Sequence, residues 1–202
     1  MYNSFHKIEP LIWELCGKKT DGFYVDIGAF DGVDGSNTLY FEKIGWKGIC
    51  VEPHPVFFKQ LVENRKCQLE SCAIWKADEE VDFLAITGYS SMLSGIPDTY
   101  DPRHRSRISG EIRSFGGEEQ LIKVPGKKFS TICKETHIDF LSIDTEGSEL
   151  KILQEIDFSV YNFTVICVEN NFLDPAYEAF FKERSYKLHS TFGGCDQIYV
   201  KN

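Results

Sequence analysis

No run of apolar residues approaches the roughly 18 needed to cross a bilayer as a helix, and the N-terminus lacks the charged-then-apolar pattern of a secretory leader. A membrane span is thereby excluded, and the expectation is a soluble, cytoplasmic protein. No CxxC pair occurs among Cys16, Cys50, Cys67, Cys72, Cys133, Cys167 and Cys195. With an odd count, and with Cys50 and Cys167 inside apolar runs, the pattern argues for free thiols in a reducing compartment rather than a disulfide framework. Positive charge is scarce: 22 Lys and Arg stand against 31 Asp and Glu, a net charge of −9. A nucleic-acid partner needs a basic footprint, so none is expected. Repeats, linkers and low-complexity tracts are also missing. The 202 residues therefore read as one domain over 1–202, rich enough in aromatics (16 Phe, 9 Tyr, 3 Trp) to bury a large core.

What is present is an alternation of strands and helices. Ile8, Leu11, Ile12 and Leu15 have helical spacing, which predicts a helix over 2–17. Strands follow at 23–28, 48–51 and 68–74, with helices at 36–44 (Ser36 as N-cap, Gly45 as stop) and 55–64 between them. Val81–Thr87 reads as a further strand, and residues 88–117 as a loop, a candidate lid over the acceptor. That loop holds Arg103, Arg105, Arg107 and Arg113, four of six arginines, together with His104. They suit either an anionic part of an acceptor or a solvated face. The rhythm resumes with a strand at 138–144, a helix at 148–156, a strand at 163–169 and a helix at 175–182. A hairpin of 186–191 and 195–200 around Gly193-Gly194 closes the chain. The fold class is α/β: a mostly parallel sheet with an antiparallel edge hairpin and helices on both faces. Asp26, Glu52, Asp144 and Glu169 all fall at strand carboxyl ends, where such sheets bind ligands.

The sharpest local pattern is Val25-Asp26-Ile27-Gly28-Ala29-Phe30-Asp31-Gly32, followed by Ser36-Asn37-Thr38 and by Val51-Glu52-Pro53. A strand enters a glycine turn, a helix follows, and a second strand ends in a carboxylate, the layout of a nucleoside site. A pyrophosphate would require a bare glycine fingerprint at a helix N-terminus. Here Asp26, Asp31 and Asp34 crowd the turn, which repels phosphate and suits a cationic ligand. S-adenosylmethionine carries a sulfonium and an ammonium and no phosphate. Glu52, 24 residues after Gly28, is placed for two ribose hydroxyls, and Cys72-Ala73-Ile74 for the adenine. The alternative is a tight turn with solvated acids.

These stretches resemble the FkbM family of S-adenosylmethionine-dependent methyltransferases. The resemblance rests on VDIGAFDG, on SNTLYFEKIGWKGICVEPHP (Ser36 to Pro55) and on IDFLSIDTEGSELKIL (Ile138 to Leu153), with the weaker VICVEN and DQIYV. It implies a Rossmann-like seven-stranded methyltransferase fold and methyl transfer to oxygen on sugars, glycans or polyketide-type products. The segment 101–117 lies outside it. Motif and resemblance together give a cofactor-binding set of Asp26, Gly28, Ala29, Asp31, Ser36, Asn37, Glu52, Pro53, Cys72, Ala73 and Ser91.

Methylating an alcohol requires a base, a metal or both. Asp144-Thr145-Glu146-Gly147 and Glu169-Asn170-Asn171 end strands expected to be neighbours. Two carboxylates and an amide oxygen are a hard donor set, so Asp144, Glu169 and Asn170 are candidate ligands for Mg²⁺ or Mn²⁺. The other reading makes these acids helix caps. Asp144, Glu146 and His189 are the candidate catalytic groups; His54 is read toward the adenine, and His6 and His137 as structural. The function expected is O-methylation of a sugar or glycan. The alternatives are a methyltransferase of a lipid or small natural product and a non-catalytic nucleoside-binding module. Fusion to, or association with, a glycosyltransferase is compatible with any of these.

Overall fold

Tyr24 and Asp26 point to one side of the first strand, Val25 and Ile27 to the other, and all four are buried. A strand buried on both faces belongs at the centre of a covered sheet. The computed structural model, which describes residues 2–202, places it there. A seven-stranded sheet runs in the order β3 (Gln68–Glu70), β2 (Lys47–Val51), β1 (Phe23–Ile27), β7 (His137–Ile143), β8 (Asn162–Glu169), β10 (Asp196–Lys201) and β9 (Tyr186–Phe192). The first five strands are parallel; β10 is antiparallel to both β8 and β9. Chain order reverses between β1 and β7, and a crevice opens at such a switch point.

Each face of the sheet carries its own core. Val25, Ile27, Ile49, Leu141 and Ile166 pack under α5 (Phe129–Ile132), α6 (Glu149–Glu155) and α7 (Ala176–Glu183). Tyr24, Cys50, Phe140 and Cys167 pack against α1 (Glu9–Leu15), α2 (Leu39–Lys43) and α3 (Pro55–Asn64). Each fully buried large apolar side chain contributes about 1.5–3 kcal/mol. No helix among the described residues is long and apolar enough to cross a membrane.

Four expected elements differ. The N-terminal helix covers only Glu9–Leu15, because the buried Glu9 carboxylate accepts from the N–H groups of Asn3 (2.6 Å) and Ser4 (2.8 Å) and from Ser4 Oγ (2.6 Å). Those bonds fold residues 3–8 against the turn at Gly35 instead of into a helix. The helix expected at 36–44 begins at Leu39, and Ser36 Oγ accepts from Leu39 N–H at 3.1 Å just ahead of it. The strand expected over 68–74 is split, with β3 in the main sheet and β4 (Ala73–Ile74) in a second one.

The last difference is the largest. Residues 79–127 form β5 (Glu79–Ile86), two short 3₁₀ turns, the 14-residue helix α4 (Pro102–Phe115) and β6 (Glu119–Lys127). β4, β6 and β5 make a three-stranded sheet. The expected loop is thus the longest helix among the described residues, capped by Asp101, which accepts from Arg103 N–H at 2.7 Å, and stopped by Gly116 at φ +77°.

Candidate active site

At the switch point the chain ends of β1 and β7 touch. Asp144 N–H donates to the Ile27 carbonyl at 2.9 Å, and a Cβ on Gly28 would lie 1.7 Å from the Asp144 carbonyl oxygen. With φ at +89°, only glycine fits there. Gly28 and Ala29 N–H both donate to the Val51 carbonyl at 3.0 Å, tying the turn to β2. Glu52, one residue beyond β2, accepts from Phe30 N–H at 2.9 Å and His54 N–H at 2.7 Å. Burial outweighs those bonds and pushes its carboxyl up to about 8. Asp26 accepts from Thr38 Oγ1 at 2.5 Å and is also raised, chiefly by burial.

These groups line a cleft whose empty volume, open mouth included, is about 940 Å³. Gly28, Ala29, Ser36, Asn37, Glu52, Pro53, Cys72, Ala73 and Ser91 all stand in its wall. Asp26, Asp34, Glu52, Asp144 and Glu146 supply five carboxylates, and among the described residues the lining contains no Lys, Arg or His. Ile74, Phe83 and Ile96 form an apolar portion. Asp31 departs from expectation. Its Oδ1 accepts from the N–H groups of Val33 (2.8 Å) and Asp34 (2.9 Å), so it shapes the turn and stays out of the cleft wall. Phe5, Phe57 and Phe83 are wall residues that sequence spacing did not single out, since each arrives from a distant segment.

The turn between β7 and α6 carries the second half of the site. Oxygens of Asp144, Glu146 and Glu169 lie within 4.8 Å of one another. Asp144 lines the cleft, and desolvation by the protein packed around it, with like charge from Asp196 and Glu149, pushes its carboxyl up to about 7. Glu146 and Glu169 are raised well above the usual carboxylate range, chiefly by burial and then by Asp144. Each keeps an Oε2 that is shut from solvent and meets no hydrogen-bond donor among the described residues. Glu146 adopts φ +60°, a strained conformation costing of order 1–3 kcal/mol. The turn is held in it by the buried Glu149, whose Oε1 accepts from Thr145 N–H (2.8 Å), Thr145 Oγ1 (2.9 Å) and Gly147 N–H (2.9 Å).

Two expected site residues lie elsewhere. Asn170 is engaged by its own loop: Oδ1 accepts from Asp174 N–H at 2.8 Å, and Nδ2 donates to the Asp174 carbonyl and Gln197 Oε1, both at 3.1 Å. Glu146, not Asn170, completes the acidic triad. His189 is exposed on the edge strand β9, with Nδ1 3.1 Å from Ser190 Oγ and no place in the cleft wall. The histidine that does face the site is His104 of α4. It is buried, and its Nδ1 sits 3.6 Å from Glu146 Oε2. Burial holds His104 below its ordinary range, so at neutral pH the contact is not an ion pair.

The glycine turn, the carboxylate after the second strand and the acidic cleft meet at the switch point of the sheet. The chain matches the methyltransferase FkbM domain over residues 26–188, and it belongs to that family. Among solved structures it is similar to methyltransferase FkbM from Methylobacillus flagellatus KT, with 14% identity, a TM-score of 0.52, 90% of this chain covered and 44% of the other. The chain therefore spans less than half the length of that protein. It is also similar to the putative methyltransferase yhhF from Escherichia coli, with 10% identity, a TM-score of 0.49 and coverage of 97% and 86%. No curated protein matches the chain.

Proposed function

We propose that the chain transfers the methyl group of S-adenosylmethionine to a hydroxyl oxygen of a sugar or glycan. The charge of the first cleft carries this reading: five carboxylates and no basic side chain favour a cation and disfavour a dinucleotide. When bound, S-adenosylmethionine supplies an electrophilic methyl group on a sulfonium. Glu52, with one backbone bond on each oxygen, has lone pairs left for two ribose hydroxyls. Ile74, Phe83 and Ile96 would cover the adenine, and Asp26 would face the ammonium end.

At the other end, carboxylates held above their usual range are stronger bases. Asp144 and Glu146 are the groups that can take the proton of an acceptor hydroxyl. The triad of Asp144, Glu146 and Glu169 also fits Mg²⁺ or Mn²⁺ in donor chemistry, and two of its members keep an unpartnered oxygen. A divalent ion there would lower the pKa of a bound hydroxyl.

Calorimetry with S-adenosylmethionine and with NADH, followed by turnover on monosaccharides and glycosides with and without EDTA, tests the reading. Binding of the first ligand alone and methylation of a hydroxyl are expected. Absence of S-adenosylmethionine binding ends it, and full activity in EDTA ends the metal part only.

A further inference from the structure

The β7–α6 turn has a cleft on each side. Thr145 and Ser148 line the first, Gly147 and Glu149 a second, and Glu146 lines both. The second cleft has an empty volume of about 980 Å³ and lies between the start of α4, α6 and the β8–α7 loop. Glu146 is thus a side chain that the two clefts share.

The polar groups of this second cleft are unevenly committed. Its arginine, Arg103, is held by Asp101 through two bonds of 2.9 and 2.8 Å, with its guanidinium 3.9 Å over the Phe172 ring. Lys151 Nζ donates to the Asp98 carbonyl at 3.3 Å. Asp101, Glu146, Glu149 and Asp174 outnumber these two cations. An anionic acceptor would therefore meet excess negative charge. Asn171 and Gln154, by contrast, carry side-chain amides that form no hydrogen bond among the described residues, and each offers donors and an acceptor. Tyr100, Phe172 and Tyr177 add aromatic surface. Free amides beside aromatic surface match a ring with several hydroxyls and an apolar face.

We infer that the second cleft is the acceptor site and that it selects an uncharged sugar over its phosphorylated or uronate forms. This rests on the methyl-donor reading of the first cleft. In the reaction the acceptor O–H gives its proton to a carboxylate of the turn. The oxygen's electron pair then forms the new O–CH₃ bond as the S–CH₃ bond breaks, and S-adenosylhomocysteine leaves.

The test is saturation-transfer NMR of neutral methyl hexosides, hexose phosphates and hexuronates on protein saturated with S-adenosylhomocysteine. It is repeated with Asn171→Trp and Gln154→Trp, which fill the cleft from its rim. The neutral glycosides are expected to bind at least tenfold more tightly than the anions, and to lose at least tenfold in both variants while S-adenosylhomocysteine affinity holds. The inference is overturned if neutral glycosides do not bind, if they bind the filled variants equally, or if the anions bind as well. Should the wild-type protein fail to bind S-adenosylhomocysteine, the methyl-donor reading fails by itself, and the same sugar titration without it still decides the cleft.

Discussion

At the ends of β1 and β2 the buried carboxylates Asp26 and Glu52 accept from Thr38, Phe30 and His54. At the ends of β7 and β8, Glu146 and Glu169 each keep a buried oxygen with no donor. The first pair is fixed in place by hydrogen bonds from the protein, which is what holding a ligand requires. The second pair is costly to the fold, since an unsatisfied buried polar group costs about 1–3 kcal/mol. Groups left unsatisfied in this way are suited to gain a partner during binding or reaction. Under the proposed function, the contrast would give holding to the β1–β2 side and chemistry to the β7–β8 side.

Glu146→Gln probes the contrast most severely. It removes a proton acceptor of nearly equal shape, so turnover should fall by about 10²–10⁴-fold. Affinity for S-adenosylhomocysteine should stay within about threefold. Single-turnover rates and calorimetry measure the two, and a parallel loss of both would erase the division.

On the holding side the support runs deeper than the wall. Arg65, with a side chain 0% exposed, donates to Glu42 Oε2 (2.8 Å), Tyr24 OH (2.9 Å), Thr38 Oγ1 (3.0 Å), the Gly32 carbonyl (3.2 Å) and Ser36 Oγ (3.3 Å). It thus braces from behind the threonine that holds Asp26. Breaking one partner of a buried pair costs about 3–5 kcal/mol. At about 2–4 °C per kcal/mol for a chain this long, Arg65→Met should lower Tm by roughly 10 °C in thermal denaturation. A comparable drop in Glu146→Gln would contradict the view that Glu146 is a burden on the fold.

Glu52 gives the next smaller effect, and it has a sign. Its carboxyl stands at about 8 in the folded protein against an ordinary 4.5. Between those values the unfolded chain has released a proton that the folded protein retains, so stability declines as pH rises from about 4.5 to about 8. Tm of the cofactor-free protein should fall across that window, and Glu52→Gln should flatten the fall. The same variant should weaken S-adenosylmethionine binding by about 10- to 100-fold, the worth of hydrogen bonds to a charged acceptor. A flat wild-type profile would mean that Glu52 is ionised when empty.

The holding side was also the legible one. Asp26, Gly28 and Glu52 sit within segments whose local pattern specifies a strand, a turn and a strand, so their convergence followed from topology alone. The segment 79–127 was opaque for physical reasons. α4 buries only His104 and Ile108, too few apolar positions for a helical stripe, although Asp101, Pro102 and Gly116 are cap signals that marked it. β6 contains Pro125 and Gly126, which argue against a strand; Pro125 is tolerated because β4 pairs only with Gly126 and Lys127. His104 reaches Glu146 only through that hidden helix. Glu149 and Phe5 act through contacts that no local pattern encodes.

The smallest expected effect concerns the arginines of α4, where sequence left two readings open. Arg103, Arg105 and Arg107 are engaged by Asp101, Glu119 and Glu111 respectively. Arg105 and Glu119 join α4 to β6, so their pair fastens the inserted segment to itself and not to a ligand. Exposed pairs of this kind contribute about 0–1 kcal/mol. Arg105→Ala should therefore shift Tm by no more than a few degrees and leave acceptor KM unchanged for neutral and anionic sugars alike. A selective loss of anionic acceptors would move these arginines from scaffold to binding site, and with them the charge logic of the second cleft.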